Sequence, residues 1–429
     1  MRTLSRAESV AWSLDALPAC RRAGLVVLLL DRTPREADLN DALQRAAARH
    51  EALGASIEPM PCGLLPPTLG AAGPLVFERL DTAANAGTGY QGLLDVLEER
   101  LRAPFRSGER LCRALLVPDL DGEAALVLHL HPLAAGRLGW LEDLLDSGPE
   151  EVAPRRAADA PAETGSWLGR WASGVRDEAA TFAARSADRL RQLPDLLRDP
   201  GRALADTQTG METVLRLMTD TPRMAPAGGD GPSHLGSFSL RWEDLAETAR
   251  VADCEPLDVV RAGVALTLLA RGQTQVRARL DDAEIPWLPS HFDMPLDGAA
   301  GRSLLAKVKR ARQRAMADAP TAGVAEWSDL ADRLPTSLVS GLLGTNLSPG
   351  DLVCEYAPGL PVAAWLAGAR VEAIRTFTTR RATRVAASLV RSHEDAAIGL
   401  TLDAELFPEP EPLLHEMRER FRALLAIAG

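Results

Sequence analysis

Over the first 146 residues, apolar stretches typical of strands alternate with stretches in which apolar residues recur at helical spacing. "GLVVLLL" (Gly24–Leu30) is a short apolar run that predicts a buried strand. "ADLNDALQRAAARH" (37–50) and "YQGLLDVLEERLRAPF" (90–105) repeat apolar residues at helical spacing. "RALLVPDLDGEAALVLHLH" (113–131) is typical of two strands joined by a turn. Strands that alternate with amphipathic helices predict a layered α/β fold.

The pattern changes over residues 147–235. The stretch "SWLGRWASGVRDEAATFAARSADRLRQL" predicts a helix, and a Pro/Gly-rich linker without periodicity comes later in the segment. We interpret it as a helical crossover between two halves of the chain. One stripe of the helix carries large apolar side chains, which either pack on their own domain or dock on a membrane or lipid surface: Trp167, Trp171, Val175 and Phe182.

Residues 236–429 again contain predicted strands and amphipathic or buried helices, as residues 1–146 do. "LDVVRAGVALTLLA" (257–270) predicts a helix buried on most sides, and "VAASLVRSHEDAAIGLTLD" (385–403) predicts a β-hairpin. "EPLLHEMRERFRALLAIA" (411–428) predicts an amphipathic C-terminal helix. The sequence therefore predicts an N-terminal α/β half over 1–146 and a C-terminal half over 236–429. A cleft between two such halves is a common place for a ligand.

Composition narrows the class of protein. The 429 residues carry a net charge of −11, so nucleic acid is not an expected partner. The 5 cysteines are scattered, which argues against a disulfide framework and against a zinc site. The N-terminus lacks the apolar core of a signal peptide, and no apolar run reaches membrane-spanning length. We expect a cytoplasmic protein, and the sequence leaves its oligomeric state open.

Several common catalytic motifs are missing. The sequence has no G-x-x-x-x-G-K-[ST] phosphate loop and no G-x-S-x-G nucleophile elbow. Most histidines are isolated and lack the spacing of metal ligands. The sequence therefore predicts neither a metal nor a permanently bound cofactor.

His129 and His131 are the strongest candidates for chemistry. Residues two apart on a strand face the same side, so both imidazoles would point one way, opposite Leu128 and Leu130. His131 lies where the strand ends, a position that commonly contributes to active sites in α/β folds. Imidazole is also suited to proton transfer near neutral pH. The alternative is that both are hydrogen-bonded residues of the core or its rim.

The stretch "LHPLAAG" (Leu130–Gly136) resembles the H-H-x-x-x-D-G motif of the coenzyme A-dependent acyltransferase superfamily, which includes condensation domains. Within it, the chain is most similar to the bacterial wax ester synthase/diacylglycerol acyltransferase family. "TLSRAESVAWSLD" resembles the opening of that family, and "SFSLRWEDLAETARVADCEPLDVVRAGVALTLL" resembles the start of its second half. "TNLSPG" (Thr345–Gly350) is similar to its Thr-Asn-Val-Pro-Gly turn. The ordered similarities extend over nearly the whole chain.

The resemblance implies two chloramphenicol-acetyltransferase-like subdomains with mixed sheets, flanking helices and an active-site tunnel between them. It implies transfer of an acyl group from a coenzyme A or carrier-protein thioester to an alcohol or amine, with His131 as the general base. Such a base typically contributes on the order of 10²–10⁴ in rate. Asn346 in "TNLSPG" either supports the tunnel wall or simply forms a turn. The lipid products of the family would fit a peripheral membrane contact.

The departures from the family pattern define two hypotheses. Leu130 replaces the first histidine of the motif, and Ala135 replaces its aspartate, which in the superfamily holds the loop in shape. Gly136 is kept, whereas Leu257 replaces the asparagine of an Asn-Asp pair that opens the buried helix. The first hypothesis is an acyltransferase, in which His129 supplies some of the lost polarity. The second is a pseudoenzyme that binds an acyl ligand or a partner protein without transfer.

Overall fold

Two six-stranded mixed sheets and a small three-stranded sheet organise the chain. The computed structural model describes residues 2–4, 6–15, 21–58, 67–80, 89–135, 139–145, 231–280, 290–296, 301–317, 350–360, 362–381 and 383–426. The strands are β1 (Arg2–Thr3), β2 (Gly24–Leu30), β3 (Ile57–Glu58), β4 (Thr68–Leu69), β5 (Phe77–Arg79), β6 (Cys112–Leu120), β7 (Glu123–Leu130), β8 (Ser233–Arg241), β9 (Arg277–Leu280), β10 (Ser290–Asp293), β11 (Leu352–Leu360), β12 (Trp365–Leu366), β13 (Ala369–Thr378), β14 (Val385–Ser392) and β15 (Asp395–Asp403). The helices are α1 (Arg6–Asp15), α2 (Glu36–Arg49), α3 (Glu51–Gly54), α4 (Gly89–Arg102), α5 (Pro132–Ala135), α6 (Gly139–Leu144), α7 (Trp242–Val251), α8 (Pro256–Ala270), α9 (Gly301–Ala317) and α10 (Pro410–Leu425).

The first sheet has the strand order β12-β13-β2-β7-β6-β5. The apolar run of β2 and the two strands around the "PDLDG" turn are found where the pattern predicts them. Side chains alternate across β7: Leu126 and Leu128 belong to the core on one face, and Ala125 and Val127 to the core on the other. Because both faces are covered, the strand is apolar along most of its length.

The second sheet has the strand order β10-β9-β11-β14-β15-β8. The predicted hairpin is the antiparallel β14–β15 pair. The predicted buried helix is α8, which packs against α10. Gly263 makes that contact close, since a Cβ there would lie 2.5 Å from the Phe421 ring. The buried face of α10 is the predicted one, with Leu413, Met417, Phe421 and Leu424.

Strand β13 links the two sheets, although it comes from the C-terminal part of the chain. It pairs antiparallel with β2 in the first sheet, with Phe377 opposite Leu25. It also contacts β14 and β15: Thr401 Oγ1 donates to the Thr378 carbonyl at 2.7 Å, and a Cβ at Gly399 would lie 1.9 Å from the Thr376 carbonyl oxygen. The first sheet therefore takes β12 and β13 from beyond residue 236, the predicted start of the second half.

Helix α4 forms a second link between the sheets. It lies on the first sheet and contacts β8 of the second. The Leu235 backbone N–H donates to the Glu98 carboxylate at 2.8 Å. The Trp167 stripe and most of the predicted crossover, residues 147–230, lie outside the described residues.

Candidate functional site

The two histidines of β7 lie at the end of the strand, where the chain enters α5. The His131 backbone N–H donates to the Leu111 carbonyl at 2.8 Å, which extends the strand pairing by one residue. Both imidazoles contact Phe105, with ring centroids 4.6 Å away for His129 and 5.4 Å for His131. The predicted shared face is therefore confirmed, because Leu128 belongs to the core on the opposite side.

Aromatic rings and a buried carboxyl enclose this pair. The Trp12 ring of α1 lies 5.2 Å from the His131 ring. The Phe105 backbone N–H donates to Asp15 Oδ2 at 3.3 Å, which fixes the loop that carries the ring. His131 is 0% exposed, and His129 is 4% exposed. The imidazoles are thus sealed from bulk water.

Several buried polar atoms at the end of β7 and on helix α1 have no hydrogen-bond partner among the described residues: His131 Nε2, both ring nitrogens of His129, Asp15 Oδ1 and Ser9 Oγ. A buried polar atom left unpaired costs about 1–3 kcal/mol, so folded proteins rarely retain one without a purpose. Several such atoms along α1 and β7 indicate a place where a ligand or ordered water supplies the missing bonds.

The other nitrogen of His131 is already engaged. The Leu133 backbone N–H donates to His131 Nδ1 at 3.1 Å, so the imidazole caps the first turn of α5. A backbone N–H can only donate, so Nδ1 is unprotonated and the neutral ring carries its proton on Nε2. The unpaired Nε2 of His131 is therefore a hydrogen-bond donor in this structure.

Burial also weakens both imidazoles as bases. It lowers the pKa of His131 to about 3 and that of His129 to about 3, with the positive charges of Arg113 and Arg100 adding to the effect at His129. Both rings are accordingly neutral at pH 7. General-base catalysis is most efficient when the pKa lies near the operating pH.

The motif positions next to His131 are apolar or outside the described residues. Leu130 is 2% exposed and belongs to the first core, opposite Cys112 in β6. The position of the replaced histidine thus contributes to packing. Gly136, Asn346 and the side chain of Ala135 lie outside the described residues, and the roles expected of them stay predictions.

A second motif remnant lies far from the histidines in the fold. Asp258, at the start of α8, is fully buried and accepts from Arg261 Nη1 at 2.8 Å and Arg312 Nε at 2.9 Å. It also caps the helix by accepting from the Glu255 backbone N–H at 3.3 Å. Leu257, in the place of the family's asparagine, packs against the second core. The resemblance singled out Asp258, but its partner Arg312 is 54 residues away and gave no signal.

Within the ranges that the structure describes, the remaining nucleophilic and metal-binding side chains offer no competing site. Among the described residues, no three histidine, cysteine or acidic side chains lie close enough together to hold a metal ion. Burial raises the pKa of Cys112 and of Cys354 to about 12, so neither thiol ionises readily. His50 Nε2 lies at hydrogen-bond distance, 2.8 Å, from Asp143 Oδ2, in a partly exposed position. In the described part of the chain, no helix has the length and apolar content of a membrane span.

The architecture is that of acyltransferases and condensation domains. No family model matches the sequence, and no curated protein matches it. The fold is similar to that of the wax ester synthase/diacylglycerol acyltransferase from Marinobacter aquaeolei VT8, at 13% identity over 100% of both chains, with a TM-score of 0.61. It is also similar to the first condensation domain of the calcium-dependent antibiotic synthetase, at 18% identity over 100% of this chain and 96% of that one, with a TM-score of 0.54.

A third similar structure is a domain named for a different reaction. It is the epimerization domain from the third module of tyrocidine synthetase B, at 14% identity over 94% of this chain and 90% of that one, with a TM-score of 0.52. The predicted two-part α/β fold is confirmed, whereas the motif in "LHPLAAG" stays a prediction. Because one fold serves different reactions, the activity has to be argued from the site itself.

Proposed function

We propose that this chain binds an acyl thioester and holds its carbonyl oxygen at His131, without using that imidazole as a base. The observation that carries the proposal is the hydrogen bond from the Leu133 N–H to His131 Nδ1, which leaves Nε2–H as a buried donor without a partner among the described residues. A thioester carbonyl is an acceptor attached to an apolar chain. It would satisfy the Nε2–H, while the Trp12 and Phe105 rings would pack against apolar atoms.

The fold supports this class of ligand. The Marinobacter protein is named as an acyltransferase, and the antibiotic-synthetase domain is described in complex with a substrate analogue. Coenzyme A and carrier-protein thioesters are therefore the ligand class we infer. The ligand would be a small molecule or a carrier-tethered chain rather than a resident cofactor.

A second candidate function is acyl transfer to an alcohol or amine, with His131 as general base. It is favoured by the unpaired Nε2 at a strand end in an acyltransferase fold. The base would take the acceptor proton while the acceptor attacks the carbonyl carbon. The C–S bond then breaks, and the thiolate recovers the proton. This route requires the proton to move to Nδ1, so the Leu133 N–H would lose its acceptor.

One pair of measurements separates the two functions. Saturable binding is measured by calorimetry with a series of acyl-coenzyme A chain lengths, and thiol release is followed with a panel of alcohols and amines. The wild type is compared with His131→Asn, which can still cap α5, and with the matched variant His129→Leu. We expect binding without His131-dependent thiol release. Turnover that His131→Asn abolishes would establish the transferase, and the absence of both binding and turnover would contradict both functions.

Infrared spectroscopy of a bound thioester labelled with ¹³C at the carbonyl tests the donor role directly. A hydrogen bond from Nε2–H lowers the carbonyl stretching frequency, because it polarises the C=O bond. We expect that shift in the wild type and its loss in His131→Leu. An unshifted carbonyl in the wild-type complex would place the ligand elsewhere.

A further inference from the structure

A small cavity between the two sheets has a strongly cationic lining. It offers about 30 Å³ to the centre of a water-sized molecule and is partly open to solvent. Arg21 and Arg102 line it from the N-terminal side, and Arg380 and Arg381 from the loop after β13. Glu98 of α4 is the acidic residue among the described lining residues. The cavity is distinct from the histidine enclosure, with which it shares none of the residues that surround the imidazoles.

Arg21 is the side chain whose charge needs explanation. It is 8% exposed, and its guanidinium donates to two backbone carbonyls, to that of Asp15 at 3.1 Å through Nε and to that of Arg102 through Nη1. No ion pair joins it to a carboxylate among the described residues. The nearby Asp15 carboxyl bonds the Phe105 N–H, and Arg21 acts on it at longer range, where the positive charge opposes the rise that burial causes in the pKa of Asp15. A buried guanidinium is costly unless a counter-charge offsets it.

Two other arginines of the cavity are already paired with carboxylates. Arg380 forms an ion pair with Asp403 and donates to Ser233 Oγ at 3.0 Å. Arg381 forms an ion pair with Glu355. Glu98 accepts from the Leu235 N–H and lies 3.3 Å from His234, while burial raises the pKa of its carboxyl. Arg21 is therefore the buried arginine of the lining that forms no ion pair within the described residues.

The loop after β13 has an unusual backbone conformation at one of its two arginines. Arg381 has a φ of 52°, in the left-handed region that residues other than glycine seldom adopt. Strained backbone of this kind persists where the surrounding structure fixes it, and it is concentrated at binding sites. Thr379 and Thr401 also line the cavity, and their hydroxyls donate to the backbone carbonyls of Arg21 and Thr378.

We propose that this cavity is a binding site for a phosphate group, with Arg21 as its principal counter-charge. A planar guanidinium matches the geometry of a phosphate and is always charged. The phosphate would come either from free inorganic phosphate or from a larger molecule that carries one, such as coenzyme A. This site goes beyond the acyl-binding role and does not depend on it, because inorganic phosphate alone probes it.

The test is a phosphate titration followed by thermal unfolding, with chloride added to keep the ionic strength constant. A ligand that binds only the folded state raises the melting temperature in a saturable way. We expect saturation with inorganic phosphate in the wild type and at least about tenfold weaker binding in Arg21→Gln, as for the loss of a charged hydrogen bond. The control Arg250→Gln removes an exposed arginine, paired only with Glu247 on α7, and should bind like the wild type.

A second variant keeps the test decisive if Arg21→Gln folds poorly. Arg102 is exposed at the end of α4, so Arg102→Gln should fold normally and bind phosphate more weakly than Arg250→Gln.

Binding of coenzyme A is then compared with binding of pantetheine, which lacks a phosphate, to identify the molecule that supplies the phosphate. Arg21-dependent binding of coenzyme A but not of pantetheine indicates a phosphate-bearing ligand, whereas binding of inorganic phosphate alone indicates the free ion. Absence of saturable phosphate binding, or equal binding in Arg21→Gln and Arg250→Gln, would overturn the site.

Discussion

The two motif remnants of this chain, one at the start of α8 and one at the end of β7, differ in whether their buried polar groups have hydrogen-bond partners. At the start of α8, Asp258 accepts hydrogen bonds from two arginines and from the backbone. At the end of β7, three ring nitrogens of His129 and His131 have no partner among the described residues. A fully paired buried carboxylate stabilises a fold, whereas unpaired imidazoles reduce stability unless a ligand completes them. Asp258 thus has a structural role, whereas the unpaired nitrogens at the end of β7 are the atoms that the proposed ligand would complete.

The largest expected effect on stability comes from removing the carboxylate of Asp258. Asp258→Asn would leave the buried Arg261 without its carboxylate and Arg312 with the more exposed Glu255 as its remaining acidic partner. Breaking a buried pair in this way typically costs about 3–5 kcal/mol of stability. Urea unfolding gives this difference as a change in midpoint at constant slope. The control Glu247→Gln breaks an exposed ion pair with Arg250 and should leave the midpoint unchanged. Equal midpoints for the two variants would show that Asp258 is not structural.

Acid should destabilise the protein because His129 and His131 are buried in their neutral form. Both histidines have a pKa of about 3 when folded, against an ordinary value of 6.5. As the pH falls below 6.5, the unfolded chain binds protons that the folded chain does not. The free energy of unfolding therefore decreases, by up to about 1.4 kcal/mol per pH unit for each histidine, until the pH reaches the folded pKa.

Urea unfolding at several pH values checks this dependence. The double variant His129→Leu/His131→Asn should have a much flatter dependence between pH 6.5 and 3, where the folded and unfolded forms of the wild type differ in protonation. The control His393→Asn changes an exposed turn residue with a φ of 55°, a conformation that asparagine tolerates. If it flattened the curve as much as the double variant, the buried pair would not be the source.

A smaller effect should come from the helix cap at His131. His131→Ala removes the acceptor of the Leu133 N–H and should cost about 1 kcal/mol, the usual value of an N-cap. His131→Asn should recover most of it, because its side-chain oxygen can accept the same bond. Equal unfolding midpoints for the alanine and asparagine variants would mean that Nδ1 is not the cap.

The smallest effect is expected for His129→Leu, and it has the opposite sign. The substitution removes two unpaired nitrogens from an enclosure lined by Phe105. We expect the free energy of unfolding at pH 7 to stay the same or to rise by about 1 kcal/mol. A clear loss of stability would show that His129 has a partner in the folded protein.

Features of the fold that depend on neighbouring residues could be predicted from the sequence. The period of two along β7 placed His129 and His131 on one face, and the helical period of α10 identified Met417 and Phe421 as buried. Both follow from the geometry of a single element. The pairing of β13 with β2 joins segments more than 300 residues apart, and no local pattern records it.

The chemistry of the site was harder to predict from the sequence than its location. "LHPLAAG" indicated His131, but the protonated nitrogen depends on the turn that brings the Leu133 N–H to Nδ1. Arg21 had no motif at all, since its role follows from a cavity formed by segments far apart in the chain. In both cases the decisive property is which partners surround a charge or proton, and this is set by tertiary packing.

Strand β13 also constrains the order in which the protein can be completed during synthesis. Until residues 369–378 leave the ribosome, β2 lacks one neighbour and presents an apolar edge. Open edges of this kind pair readily with other chains. Closure of the first sheet must therefore wait for most of the polypeptide, and such late, long-range pairing slows folding. Truncation before residue 369 would expose β2 and favour aggregation over a stable N-terminal half.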